Sequence, residues 1–303
     1  MVTSKEVKKN NHLFWETQED NIFCQRKKKS INSEITYLHC HDGYEILIIE
    51  NGHIDMQIED KFFEFTTGDV VLIPPYVFHF ARQQHEYDYH RVVINIKEST
   101  LLSLVYKDKI YQQFSDIFYK TTNYRLPVSK QTLSQLISLS IHLQRATEDN
   151  SMNSDNSILS FSLLSIILVI LNRVSNNSKM SPMATSVEQN LPDVIKSVFK
   201  YIDDNFNTKI AITDIASSVH LNSVYLTRLF HQYTGLSIQQ YIIEKRLSKA
   251  KQLLKKGLSP TDVCFECGFN NYSNFSRTFT NHVKVSPRQF QENSRAYFEA
   301  LRN

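Results

Sequence analysis

The chain has 303 residues, 41% hydrophobic and 21% charged, which excludes a disordered segment and fits roughly two globular domains. Four cysteines are too few for a disulfide scaffold and suit a reducing compartment, so the expected location is the cytoplasm. The net charge of +3 divides unevenly: residues 191–303 hold 15 Lys and Arg against 9 Asp and Glu, whereas residues 1–190 hold 19 against 22. A module of +6 joined to one of −3 suggests that only the C-terminal part meets a polyanion.

Met1 to Asn11 is polar and lysine-bearing, so no signal peptide is expected. Arg26 to Lys29 is a basic run, read as a solvated loop. Residues 30–98 predict short strands: 35–38, 45–49, 54–58, 62–65, 70–73 and 91–96 are β-branched or aromatic and partly alternate. Turn signals at Asn51-Gly52, Thr67-Gly68 and Pro74-Pro75 separate them, which predicts a small barrel or sandwich. From Leu101 the period becomes helical, with Leu133, Leu136, Ile137, Ser140, Ile141 and Gln144 on one face. Ile158 to Leu171 is apolar nearly all round, which predicts a buried helix. Its 14 residues are too few to span a bilayer, so no membrane partner is expected. It packs on its own barrel or pairs with a second copy, and pairing is the favoured reading. Residues 175–190 are small and polar, and everything after them reads as helix. The expected fold class is α+β in two domains: a strand-rich part with following helices (1–174), a linker (175–190) and an all-α part (191–303).

An internal repeat organises the last third. Residues 225–237 align with 274–286 at an offset of 49, pairing Arg228 with Arg277, Phe230 with Phe279 and Ser237 with Ser286. Upstream, Thr213-Asp-Ile-Ala aligns with Thr261-Asp-Val-Cys at an offset of 48. Each copy reads as a short helix, a tight turn and a second helix. Thr213 and Asn222 are the expected caps in the first copy, Ser259 and Asn271 in the second. Gly235 and Gly268 supply a helix stop and a turn. A helix through Tyr241, Leu247, Ala250 and Leu254, about 25 Å long at roughly 1.5 Å per residue, joins the copies. These are two helix-turn-helix units. With the core positions removed, the outward residues are Val224, Thr227, Arg228 and His231 in one reading helix, and Ser273, Asn274, Ser276 and Arg277 in the other. Arginine can bond both acceptors of a guanine, and Val224 can meet a thymine methyl. The expected partner is double-stranded DNA.

Tyr225-Leu-x-Arg-x-Phe230, Gly235, Tyr241, Arg246-Leu247, Ala250, Leu253-Leu254, Gly268-Phe269, Phe275-x-Arg-x-Phe279 and Ser286-Pro287 resemble the DNA-binding domain of the AraC/XylS family of bacterial transcription regulators. The resemblance covers about 95 residues. It implies sequence-specific control of transcription through two major-groove contacts, with RNA polymerase as a partner, activation as the commoner direction, and a homodimer. Two positions depart from the pattern: Lys284 stands where the family usually has glycine, and Thr280 where it usually has lysine.

His39-x-His41-x3-Glu45-x6-Gly52, followed by Gly68-x5-Pro74-x4-His79, resembles the two motifs of the cupin barrel. The N-terminal part is therefore expected to be a cupin-like sensor of a small-molecule effector, with a sugar as the default class. His39, His41, Glu45, Tyr76, His79 and Arg82 are the candidate effector pocket. In metal-binding cupins the matching His and Glu residues are ligands, and a cupin metalloenzyme fused to a DNA-binding module is the alternative reading. The favoured reading has no metal, no cofactor and no catalytic residue. Cys264-x-x-Cys267 occupies two inward helix positions and is read as core.

Overall fold

The computed structural model describes residues 14–15, 22–29, 38–82, 89–103, 108–148, 154–177 and 191–300. Among the described residues, the N-terminal part contains ten strands: β1 (Phe14–Trp15), β2 (Ile22–Lys29), β3 (Cys40–His41), β4 (Gly43–Asn51), β5 (His53–Ile58), β6 (Lys61–Thr66), β7 (Asp69–Ile73), β8 (His79–Arg82), β9 (Tyr89–Lys97) and β10 (Arg125–Pro127). A five-stranded antiparallel sheet runs β10-β7-β4-β9-β2, and a three-stranded one runs β6-β5-β8. The predicted strands at 45–49, 54–58, 62–65, 70–73 and 91–96 are present; residues 35–37 lie outside the described ones. The basic run Arg26 to Lys29 is no loop. It forms half of β2, antiparallel to β9, and Arg26 donates from Nε to Glu50 Oε2 at 2.6 Å. Charge masked the strand signal because an edge strand tolerates lysine on its open side.

Period-two alternation gives the large sheet two unlike faces. Tyr44, Ile46, Ile48, Val92, Ile94, Ile96, Ile22 and Cys24 face the helices. Those helices are α1 (Glu98–Ser103), α2 (Asp108–Lys120), α3 (Lys130–Glu148) and α4 (Ser154–Asn177). Leu47, Ile49, Val71, Ile73, Tyr89 and Val93 face the opposite way and meet Met56, Phe63 and Phe65 from the smaller sheet. That second face is the barrel interior.

Helix α4 corrects two expectations. It has 24 residues and runs through 175–177, so the first residues assigned to a linker are helical. Residues 178–190 lie outside the described ones. Nor is the helix buried all round: Leu163, Leu164, Ile167, Leu168 and Leu171 pack in the sheet core, but Ile158, Leu159 and Ile166 are exposed. Residues 155–177 are long and apolar enough to cross a membrane, with a mean hydropathy of 2.1. The stripe against the sheet buries 33% of the most apolar stretch.

The C-terminal part holds α5 (Asp193–Asn205), α6 (Ile212–Ser218), α7 (Ser223–Thr234), α8 (Ile238–Lys255), α9 (Pro260–Glu266), α10 (Tyr272–Val283) and α11 (Pro287–Ala300). The repeat is physical. Asn222 and Asn271, 49 residues apart, each accept the backbone N–H three residues on at 2.8 Å. Ser237 and Ser286 do the same for Gln240 and Gln289 at 3.2 Å. Ser259 caps α9 as expected, accepting from Asp262 N–H at 3.1 Å. Thr213 caps nothing: α6 starts one residue earlier, and Asp214 reaches back to Ala211 N–H at 3.4 Å. Cys264 and Cys267 are fully buried free thiols in the second unit's core, as read from their positions.

Each copy has two left-handed backbone positions, and each fills one of them with a residue other than glycine. The turn is His220 (φ 56) in the first copy and Gly268 (φ 77) in the second; the helix stop is Gly235 (φ 71) in the first and Lys284 (φ 66) in the second. Gly268 is irreplaceable for a further reason: a Cβ there would lie 2.6 Å from the Phe206 carbonyl oxygen. Lys284 has no such crowding argument and carries a Cβ in a region that disfavours one. Lys284→Gly is expected to stabilise the protein by about 0.5–1 kcal/mol. Thermal unfolding followed by circular dichroism would show it as a raised midpoint, and a lowered midpoint would refute the strain.

Candidate functional site

The sensor cluster arises from one loop and one strand pair. His39 and His79 exchange backbone hydrogen bonds, His39 N–H to His79 O at 3.1 Å and His79 N–H to His39 O at 2.8 Å. That clamp brings residues 40 positions apart in sequence side by side. His41 Nδ1 donates to the Gly43 carbonyl at 2.8 Å, and His79 Nδ1 donates to the Val77 carbonyl at 2.9 Å. Each Nε2 is thereby turned to Glu45 Oε2, at 2.6 Å from His41 and 3.2 Å from His79. Burial pulls the His41 imidazole down, but the hydrogen bond and charge of Glu45 raise it above its ordinary value. Burial likewise pushes the Glu45 carboxyl up, and the two imidazoles pull it well below the usual range.

The three ligand atoms of His41, Glu45 and His79 lie within 4.8 Å of one another. With both Nδ1 atoms spent on carbonyls, two Nε2 atoms and a carboxylate oxygen face one point, and this donor set fits a divalent transition ion. A proton shared by His41 and Glu45 closes the same cluster without an ion. His39 stands at its edge: its ring centroid is 4.6 Å from that of His79 and 6.4 Å from that of His41.

Tyr76 does not join the pocket. Val77 and His79 turn into the barrel while Phe78 and Phe80 turn out, and Tyr76, in a left-handed turn (φ 67), joins the outer cluster with them. Tyr76 is buried on the outer side, with Lys255 Nζ 5.4 Å from its ring centre. Arg82 ends β8 opposite Asp55, and its side chain lies outside the described residues. So the structure brings His39, His41, Glu45 and His79 together and separates Tyr76 from them.

The outer side of the same wall is a seam with the helical part. Leu38, Cys40, Phe62, Tyr76, Phe78 and Phe80 join the core cluster that contains Ile195, Phe199, Phe230 and Tyr241. Leu38 N–H donates to the Thr234 carbonyl at 3.1 Å, and the Phe78 and Tyr241 rings are 5.0 Å apart. Helix α8 faces both ways. Ile242, Leu247, Ala250 and Leu254 build the helical core, while Glu244, Ser248 and Lys251 are buried although polar. Ion pairs flank the seam: Lys245 with Asp203 and, at 3.8 Å, with Glu59; Lys255 with Glu98 at 2.6 Å. This polar stripe at spacings of three and four was the signal that sequence reading missed.

The outward faces of the reading helices are free of the seam. Val224 is 82% exposed; Arg228, His231, Ser273, Asn274 and Arg277 are exposed, and Thr227 and Ser276 half-exposed. All eight candidate DNA contacts therefore remain reachable. Thr227 Oγ1 donates to its own helix at Ser223 O (2.8 Å), which leaves its methyl outward. Arg228 lies over the exposed Tyr225 ring, with its Cζ 5.5 Å from the ring centre. That exposed tyrosine is absent from the sequence-based set. Val224, Thr227, Arg228 and His231 line an open groove with residues 210–213.

Residues 29–160 match the model of the AraC-like ligand-binding domain, and residues 215–293 match a helix-turn-helix domain model. The chain belongs to the AraC/XylS family of transcription regulators. Its members here are regulators and not enzymes. The Msm operon regulatory protein of Streptococcus mutans is 23% identical over 252 residues, covering 83% of this chain and 84% of that protein. The transcriptional activator RhaS of an Enterobacter species is 25% identical over 260 residues, covering 84% and 87%. ToxT from Vibrio cholerae, a solved structure, is 15% identical with a TM-score of 0.34, covering 90% and 98%. The AraC/XylS assignment carries sequence-specific DNA binding and a small-molecule effector with it.

Burial raises the Glu244 carboxyl to about 7, with Lys251 opposing the rise, and His282 Nε2 lies 3.5 Å away on α10. Between the ordinary carboxylate value of 4.5 and about 7, unfolded Glu244 loses the proton that the native chain keeps. Native protein binds more protons there, so stability falls as pH rises through that window. Glu244→Gln is expected to flatten this fall. Urea midpoints near pH 5 and near pH 8 test it, and equal pH dependence in both proteins would refute it.

Proposed function

We propose that this AraC/XylS regulator is a cytoplasmic, homodimeric activator whose barrel senses a small polyhydroxylated molecule such as a sugar. The two-sided wall carries the reading. Residues 38–41 and 76–80 point His39, His41 and His79 at the barrel interior, and Leu38, Cys40, Tyr76 and Phe78 at the helical domain. A ligand that tightens against the imidazoles moves a backbone whose other side is packed on α8. Val224, Thr227, Arg228, His231, Ser273, Asn274, Ser276 and Arg277 are the base-reading set. Helix α8, 18 residues and roughly 27 Å long, spaces the two reading helices for successive major grooves. His41, Glu45 and His79 are the residues that would hold a divalent ion, which would supply a Lewis-acid contact to a ligand oxygen. Activation is supported by relatives named as transcriptional activators, and an activator would have RNA polymerase as its partner. The proposed domain boundary falls within 178–190.

Arg228→Ala and Arg277→Ala are each expected to cost about 1–3 kcal/mol in operator affinity and to relax specificity at their own half of the site. Genomic-fragment selection followed by binding titrations at fixed salt measures both. Equal losses on random DNA would assign the arginines to phosphate instead.

The dimer is proposed to form through the exposed stripe Ile158, Leu159 and Ile166 of α4. Replacing Ile158 and Ile166 by Lys is expected to give monomers in sedimentation analysis with the barrel still folded. Dimers unchanged by that double replacement would place the interface elsewhere.

A further inference from the structure

The interior face of the large sheet contains polar atoms that find no hydrogen-bond partner among the described residues. On β9, Tyr89, Arg91, Val93 and Asn95 point into the barrel, because Val92, Ile94 and Ile96 point at the helices. Arg91 Nε and Nη1, Asn95 Oδ1 and the Tyr89 hydroxyl are the buried atoms in question. The Arg91 guanidinium lies over the Tyr89 ring, with its Cζ 5.2 Å from the ring centre, a contact that leaves its N–H donors unused. Buried guanidinium donors without an acceptor are costly, and such a group in a native fold asks for an explanation. The carboxylate whose charge reaches Arg91 is Glu45, and Glu45 Oε2 already accepts from His41 and His79. Register places a second cation beside it: Lys27 on β2 is the direct neighbour of Arg91. Desolvation of its inner end and, second, the nearby Arg91 charge push the Lys27 ammonium down, with Glu45 opposing them. Lys27 is exposed on the last strand of the sheet, so the pair sits at an opening and not in a sealed core.

We infer that the effector is an anion: its carboxylate or phosphate is held by Arg91 and Lys27, and its hydroxyls meet Asn95 and Tyr89. Arginine suits this because its planar donors match a carboxylate or phosphate face. Arg91 and Asn95 share the interior face four residues apart, roughly 13 Å at the strand rise, which is the span of a sugar acid or sugar phosphate with its contacts. A neutral sugar would offer the buried Arg91 donors no charged acceptor. This assignment rests on the sensor reading above and names the chemical class of that site.

The test uses full-length protein and four probes at constant ionic strength: glucose, glucuronate, glucose 6-phosphate and inorganic phosphate. Calorimetry and thermal shift are read for wild type, Arg91→Met and Lys27→Met. The expected result is binding of at least one anionic sugar, with glucose about tenfold weaker or worse, and a loss of about tenfold or more in Arg91→Met. Lys27→Met, at an exposed strand position, keeps the test valid if Arg91→Met fails to fold, and is expected to lose several-fold. Preference for glucuronate or for glucose 6-phosphate separates the carboxylate from the phosphate. Glucose binding as well as the anions, anion binding unchanged by both substitutions, or no response to any anion at tens of millimolar would each overturn the proposal. The sensor reading fails separately. An anion bound at Arg91 that leaves operator affinity unchanged removes it, whereas glucose binding that changes operator affinity keeps it and removes the anion site.

Discussion

The backbone exchange between His39 and His79 is the contact on which the rest of the molecule turns. Two hydrogen bonds fix the register of segments 38–41 and 77–80, and period two then assigns every side chain on both to one side of a single-peptide wall. A slip of one residue would place Leu38, Cys40 and Phe78 inside the barrel and the imidazoles against α8. Register here decides both the chemistry of the sensor and the apolar surface of the seam. Glu45 holds the inner side by accepting from two imidazoles, and the ring contact of Phe78 with Tyr241 holds the outer side. Neither could be altered by much without disturbing the other, since they are bound to the same backbone.

The helical half shows a complementary division of labour. Its two copies share caps, core phenylalanines and arginines, yet they are not equivalent in what they touch. The first copy gives Leu226, Phe230 and Thr234 to the cluster or backbone that meets the barrel. The second copy packs Phe275 and Phe279 against its own α8 and α11 residues. Arg246 ties the copies together, donating to the Phe206 and Thr208 carbonyls while lying over the Phe269 ring. The first reading helix is thus fixed to the sensor, and the second is fixed to the first through α8 and this loop.

Much of this was legible in the sequence because it depends on local rules. Caps at Asn222, Asn271 and Ser259, the turn at Gly268 and the outward set on both reading helices follow from spacing alone, and the structure leaves all eight of those outward residues reachable. The barrel motif was legible for His41, Glu45 and His79 through its resemblance to the two cupin motifs. What failed was non-local. Tyr76 sits three residues from His79, but a left-handed turn at Tyr76 itself carries its ring to the outer cluster, and nearness in sequence misled. Arg26 to Lys29 looked like a loop because three consecutive lysines hide an alternation that only the pairing with β9 reveals. Arg91 and Asn95 carried no motif at all. Their role depends on which face of β9 the helices cover, and that is settled by residues on other strands. Glu244, Ser248 and Lys251 are not singled out by the sequence, because nothing in the helix itself says that a second domain lies over it.

The seam sets the energetic terms on which any effector must act. A ligand shifts the balance between docked and released helical domains only by the difference in its affinity for the two states. Moving such a balance from about 1:99 to 99:1 requires roughly 5.5 kcal/mol of that difference. A buried aromatic contact, one backbone hydrogen bond and two flanking ion-paired lysines are individually of the right size to be broken by it, but they share one rigid wall and would yield together. The ion pairs at Lys245 and Lys255 lie at the half-exposed margins of the seam, where they orient the docking more than they strengthen it. The strength comes from the apolar centre around Phe78 and Tyr241, directly behind His79. On the proposed mechanism, a ligand pulling on the imidazoles acts on the apolar centre of the seam, and a displacement of the wall would pass to the first reading helix.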